Sequence, residues 1–80
     1  MDLSYGSIKA SNIIKVVQNA SGHNQRELSR RMGRGERYVE RLIHNSRLHR
    51  IDTLIGLCEA AGCELLLKTP DGKVFRIENE

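Results

Sequence analysis

The chain has few aromatic residues: Tyr5, Tyr38 and Phe75 are its complete set, and tryptophan is absent. The hydrophobic core must therefore be aliphatic, built from Ile, Leu and Val. No apolar run approaches the roughly 18 residues that a membrane span needs. The first residues, Met1-Asp2-Leu3-Ser4, lack the basic start and apolar stretch of a signal peptide. We therefore expect a cytoplasmic protein with no membrane partner.

Cysteine is equally scarce. Cys58 and Cys63 are too few for the disulfide framework of a small secreted domain. Four residues separate them, whereas zinc modules favour shorter spacings, and Cys58 lies in an apolar stretch. We expect buried thiols, no metal and no cofactor.

The length of 80 residues excludes a two-domain enzyme with a cleft between its domains. The three histidines, His23, His44 and His49, fall on a turn, a basic face and a loop, and no nucleophile or carboxylate pair converges on them by spacing. We expect a single domain over residues 1–80 that is not an enzyme.

Positive charge is concentrated in the middle of the chain. The net charge is +3, yet residues 23–50 contain eight arginines and three glutamates, a local net charge of +5. All cations of this segment are arginine, the side chain suited to bidentate contacts with phosphate and guanine. Residues 51–80 carry a net charge of −3. This asymmetry favours a polyanionic partner.

Apolar spacing predicts four helices followed by a β-hairpin, a mainly α fold with a two-stranded antiparallel ribbon. The helices are expected at about 7–20, 25–32, 36–44 and 52–61, and the strands at about 64–68 and 73–77. Asn24 with Glu27 indicates a capping box at the second helix. Asn45 is expected to end the third helix in the left-handed conformation.

Residues 25–44 resemble the helix-turn-helix of the phage repressor/Cro (XRE) family. Leu28, Met32, Val39 and Leu42 match its core positions, and Gly33 matches its turn. Ser29 stands at the helix crossing, where the family often has Ala. With the flanking helices, the resemblance covers about residues 12–64. Arg34 departs from the pattern because an apolar residue usually follows the turn glycine.

The resemblance implies a four-helix headpiece that binds double-stranded DNA and regulates transcription, most often as a repressor. It also makes a nucleoid-associated location an alternative to a purely cytoplasmic one. The third helix would lie in the major groove. Base-edge contacts are then expected from Glu36, Arg37 and Arg41. Phosphate contacts are expected from Gln25, Arg34, Tyr38, Asn45, Arg47 and Arg50. Tyr38 lies on the flank of the helix, so a partly buried role is equally open to it.

Family members usually dimerise on inverted repeats, so a homodimer is expected. Its interface is expected on the hairpin, through Leu66, Val74 and Phe75, with one sheet face covering the helices and the other meeting the second subunit. A hairpin wholly used to cover its own core is the alternative. The alternative function is an antitoxin or a phage-encoded protein-interaction or inhibitor module on the same headpiece, with a protein partner.

Overall fold

The computed structural model describes residues 6–45 and 49–79, and it confirms a mainly helical fold of four helices followed by a two-stranded antiparallel sheet. The helices are α1 (Ile13–Ser21), α2 (Gln25–Arg31), α3 (Tyr38–His44) and α4 (Ile51–Ala61). The strands are β1 (Leu66–Lys68) and β2 (Val74–Arg76). Among the described residues, no helix combines the length and apolarity needed to cross a membrane.

The core is aliphatic, as the scarcity of aromatic residues predicts, and all four helices contribute to it. Its buried members are Ile14, Val17, Leu28, Val39, Leu57 and Cys58. Ile55 of α4 is also buried. Because Leu28 and Val39 are fully buried and lie on successive helices, they hold α2 and α3 together. The two helices thereby act as one unit, with α1 and α4 packed behind them.

Local chemistry sets the ends of the first helices. Gly22 ends α1 with φ 73° and Gly33 forms the turn after α2 with φ 71°, a conformation in which a side chain would be strained. The Asn24 side chain caps α2 by accepting a hydrogen bond from the Glu27 amide at 2.8 Å. The Glu27 carboxylate contacts the Asn24 side-chain amide at 3.3 Å and the His23 ring at 3.1 Å.

Two helices begin later than the apolar pattern predicts. A 3-10 turn over Ala10–Asn12 precedes α1, and α3 begins at Tyr38 rather than at Glu36. The Tyr38 amide donates to the Gly35 carbonyl at 3.0 Å, which makes residues 35–38 a separate turn. Glu36 and Arg37 therefore lie at the entry to α3, ahead of its first full turn.

The predicted left-handed conformation of Asn45 is wrong. Asn45 is extended, with φ −86° and ψ 104°, and its amide donates to the Arg41 carbonyl at 2.9 Å. The last carbonyls of a helix need partners, which a left-handed cap supplies from the backbone. Here the Nε2–H of His49 donates to the Leu42 carbonyl at 3.1 Å. Because the His49 ring satisfies this carbonyl, the chain can leave α3 in an extended conformation.

The hairpin strands do not cover the helices. The prediction that one sheet face covers the helices is therefore wrong, and so is the alternative that the whole hairpin covers its own core. Leu67 pairs with Phe75 across the strands, and Leu66 pairs with Arg76 on the opposite face. Leu66, Leu67, Val74 and Phe75 are 51–54% exposed. Among the described residues, the hairpin is anchored at its base, where Leu65 packs against the core cluster and Ile77 is half-buried.

Candidate nucleic-acid interface

A hydrogen bond inside the core fixes α3 against α2. The Ser29 hydroxyl donates to the Gln25 carbonyl at 2.7 Å and accepts from the Val39 amide at 2.9 Å. Ser29 and Val39 are both fully buried. The hydroxyl therefore satisfies an amide of the first turn of α3, which would otherwise be buried without a partner. The start of α3 is thereby held beside the start of α2.

This arrangement forms a groove of about 600 Å³ between the two helix starts. Three predicted site residues, Gln25, Glu36 and Arg37, line it together. Its remaining lining residues are Gln18, Asn24, Arg26 and Glu40. All of these lining residues are polar or charged, with two arginines and two glutamates among them. The groove can therefore donate hydrogen bonds to a polar ligand and accept them from it.

The Glu36 carboxylate bridges the turn to α2. It lies 2.6 Å from the Arg30 guanidinium and 3.5 Å from Nε of Arg26. The hydrogen bond from Arg30, followed by the charges of Arg26 and Arg30, lowers the pKa of Glu36 below its ordinary value of 4.5. Glu36 therefore stays ionised at neutral pH and partly neutralises Arg26, which lines the groove, and Arg30, which lies beside it on α2.

Arg37, at the entry to α3, and Arg41, on the exposed side of α3, lie one turn apart. The Arg41 amide donates to the Arg37 carbonyl at 3.0 Å, which fixes this spacing. The Arg37 side chain is 81% exposed, and its Nε lies 3.9 Å from the Glu40 carboxylate. Val39, two residues after Arg37, is fully buried. α3 thus displays Arg37 and Arg41 to solvent while Val39 anchors it in the core.

Arg34 and Tyr38 lie apart from this groove. The Arg34 guanidinium stacks over the Tyr38 ring, 5.1 Å from its centroid, which is cation–π geometry. Both line a second groove of about 960 Å³, with residues of α4 and the segment after β2. Arg34 is exposed and Tyr38 is half-buried. The structure thus gives Tyr38 the partly buried position that the sequence left open.

The other predicted phosphate contacts lie beyond α3. Asn45 is exposed at the end of α3. Arg50 precedes α4, is 85% exposed and lies 3.2 Å from the Asp52 carboxylate. Arg47 falls outside the described residues. The predicted dimer residues Leu66, Val74 and Phe75 are all exposed on the hairpin, away from the groove at the start of α3.

Sequence reasoning missed the positioning role of Ser29 and the participation of Arg26 and Arg30. A serine inside a helical pattern gives no sign that its hydroxyl reaches an amide ten residues later. Arg26 and Arg30 are ten and six residues from Glu36, spacings that no single helix brings together. Their position on the same face of α2, four residues apart, is the signal that could have indicated a shared ligand.

Within residues 6–45 and 49–79, no group of three His, Cys, Asp or Glu side chains is arranged to hold a metal ion. The fold and the groove together define a small helical domain with an arginine-rich face and an exposed β-ribbon. No protein-family model, curated protein or solved structure matches this chain.

Proposed function

We propose that this chain is a sequence-specific DNA-binding transcriptional regulator that reads the major groove with α3. The observation that carries the proposal is the arrangement of α3: Val39 anchors it in the core, while Arg37 and Arg41 are displayed on its exposed side. A helix held by one face and carrying arginines on the other is suited to enter a major groove.

Arg37 and Arg41 would contact base edges at different positions along the major groove. Arginine donates two parallel hydrogen bonds to O6 and N7 of guanine, which no other base presents in the same pattern. Arg37 lies at the entry of α3, so it would reach base edges first, and Arg41 would follow one turn later. The diameter of an α-helix with its side chains, about 10–12 Å, fits the width of a major groove of about 12 Å.

Glu36 would contribute to the same contact by accepting from N4 of cytosine. Its carboxylate is held by Arg30 and Arg26 in the free protein, so this contact requires the arginines to exchange Glu36 for phosphate. Gln25, Arg34, Tyr38, Asn45, Arg47 and Arg50 are proposed as phosphate contacts, which position the helix without reading sequence.

One α3 reaches only a few base pairs, so useful specificity requires two copies on an inverted repeat. We therefore include a homodimer in the proposal, with the hairpin as its interface. The alternative, an antitoxin or inhibitor module, is favoured by one observation: the exposed apolar ribbon can also receive a different polypeptide.

The proposal is tested by selecting bound duplexes from a random library and comparing two arginine variants. Arg37 and Arg50 are matched, since their side chains are 81% and 85% exposed and each lies near one carboxylate. We expect R37A to lose about 1–3 kcal/mol on the selected duplex and little on random duplex. We expect R50A to weaken both duplexes alike and to reduce the salt slope by about one unit.

Salt dependence gives a second criterion. With about four phosphates neutralised per subunit, log affinity should fall with log salt at a slope of about −3.6, and twice that for a dimer. A slope near zero, or no selected duplex at all, would exclude DNA as the partner. Equal losses on all duplexes for R37A would show that α3 does not read bases through this residue.

A further inference from the structure

The hairpin is an apolar ribbon that its own chain leaves exposed on both faces. Leu66 is 53% exposed on one face, and Phe75 is 52% exposed on the other. In the described part of the chain, the strands pair with each other and neither runs alongside a helix. A two-stranded hairpin is marginally stable in water by itself. A further strand or surface is therefore needed to cover these side chains.

The hydrogen-bond ladder shows which backbone groups point outward from β1. The Ile77 amide donates to the Leu65 carbonyl, and the Thr69 amide donates to the Lys73 carbonyl, both at 2.9 Å. In an antiparallel pair, residues bonded to the partner strand alternate with residues that are not. Leu66 is therefore among those whose amide and carbonyl point away from β2. An apolar edge of this kind is a template for another strand.

The sequence along this edge is complementary to itself. Residues 64–68 read Glu-Leu-Leu-Leu-Lys. When two copies pair antiparallel about a two-fold axis at Leu66, Glu64 lies opposite Lys68 of the partner subunit, and symmetry repeats this pair. Leu66 meets its own counterpart, and Leu65 meets Leu67 of the partner subunit on the other face. Opposite charges and apolar side chains in directly opposed positions stabilise a strand pair.

The other edge of the hairpin is less suited to pairing with itself. A two-fold axis at Arg76 would set two guanidinium groups side by side, which is destabilising. An axis at Val74 would set Arg76 opposite Gly72, with no partner charge. Charge therefore favours β1 over β2 as the pairing edge.

We propose that two copies of this chain join through β1 into a four-stranded antiparallel sheet in the order β2-β1-β1-β2, centred on Leu66. This interface rests on the homodimer of the proposed function, but not on DNA reading. Because the central strands are antiparallel, the two helical bodies lie at opposite ends of the sheet. The two-fold axis then relates the α3 helices of the two copies, as binding to an inverted repeat requires.

Charge exchange tests the register. E64K sets Lys opposite Lys68 of the partner subunit, and K68E sets Glu opposite Glu64 of the partner subunit, so each variant alone should weaken its homodimer at least tenfold. An equimolar mixture of E64K and K68E restores both opposite-charge pairs. We expect heterodimers with nearly the parent dissociation constant, measured by native mass spectrometry and sedimentation equilibrium.

The mixture also separates pairing from folding, because a variant that failed to fold could not be rescued by another chain. Two results would overturn the register: single variants that dimerise as tightly as the parent, or weakened variants that form no heterodimer when mixed. A parent chain that stays monomeric at high concentration would overturn this interface and the proposed homodimer together. Duplex binding, measured separately, decides whether α3 reads DNA.

Cysteine cross-linking tests which edge pairs. In a C63S background, L66C places two thiols across the axis with Cα atoms about 5.5 Å apart, within disulfide range. V74C is the matched control, since Val74 is 54% exposed but lies on β2. Its two copies would be separated by three strand spacings across the sheet and by four residues along it, about 20 Å in all, and would be too far apart to bond. Cross-linking of V74C in place of L66C would assign the interface to β2 and refute the proposal.

Discussion

Replacing Ser29 with alanine removes one oxygen atom from the centre of the core and is expected to destabilise the whole domain. The hydroxyl accepts from the Val39 amide at 2.9 Å and donates to the Gln25 carbonyl at 2.7 Å. Ser29 and Val39 are both 0% exposed, so water cannot replace the lost acceptor without a rearrangement of the core. The Val39 amide would be left buried and without an acceptor.

The size of the effect follows from two opposing terms. A buried donor that loses its acceptor costs about 1–3 kcal/mol of folding free energy. Alanine has a better helix propensity than serine, which returns roughly 0.5 kcal/mol. We therefore expect S29A to lower the free energy of unfolding by about 1–2 kcal/mol. Because an 80-residue domain gains only about 4–12 kcal/mol on folding, the melting temperature should fall by about 5–15 °C.

Ser21 provides a matched control at the end of α1. Its hydroxyl also joins a helix carbonyl to a following amide: it donates to Gln18 at 2.6 Å and accepts from His23 at 3.0 Å. Ser21 is only half-buried, so water can replace the hydroxyl. We expect S21A to cost less than about 0.5 kcal/mol.

The assay is thermal and urea unfolding of both variants and the parent, followed by circular dichroism at 222 nm. If S29A unfolds within about 2 °C of the parent, the Val39 amide has found another acceptor, and the hydroxyl does not fix the start of α3. If S21A loses as much as S29A, burial does not decide the cost, and the reasoning is refuted.

Two further predictions concern charge and thiol reactivity. E36Q should bind random duplex several-fold more tightly, because it releases Arg26 and Arg30, and its salt slope should steepen by about 0.9 for each phosphate gained. E40Q is the control: Glu40 lies 3.9 Å from Arg37, and its replacement should change the salt slope less. Equal salt slopes for E36Q and E40Q would refute the bridge. Because the pKa of Glu36 is lowered, its bridge stabilises the fold above about pH 4.5, and this stabilisation is lost as the pH falls through the folded-state pKa. The difference in melting temperature between the parent and E36Q should therefore shrink on acidification. Burial, with smaller effects of Cys63 and Glu59, raises the pKa of the Cys58 thiol. Iodoacetamide at pH 8 should therefore modify the half-buried Cys63 before Cys58. Equal rates of modification of the two thiols, measured by mass spectrometry, would contradict the packing of α4.

The helices could be predicted because their signals are local. Apolar residues three and four apart indicate which face is buried, and Gly22 and Gly33 end their helices through a backbone conformation that glycine adopts without strain. The fourth helix needed only its own apolar spacing to be recognised. Such signals act within a few residues, so no knowledge of the tertiary fold was needed to interpret them.

The errors occur where a side chain outside the local pattern supplies a contact. Asn45 is extended, and the His49 ring donates to the Leu42 carbonyl, which a left-handed cap would have bonded from the backbone. The entry to α3 depends on the Ser29 hydroxyl, which reaches across ten residues. Glu36 joins the groove through arginines of the preceding helix. None of these contacts follows from the spacing rules of a single helix or turn.

The hairpin shows a different limit of sequence reasoning. Alternation along a strand tells which side chains share a face, but Leu66 and Leu67 put apolar groups on both faces, and the pattern cannot say which face the helices cover. The structure shows that neither is covered, since all four apolar side chains of the strands stay about half exposed. The buried core cluster consists of residues of the four helices, and Leu65, just before β1, packs against it. The ribbon is therefore the part of this fold whose stability depends most on a partner, while the position of α3 depends on contacts within the chain. These two parts can be altered independently, which is why a charge exchange on β1 and an arginine replacement on α3 examine separate properties of the same molecule.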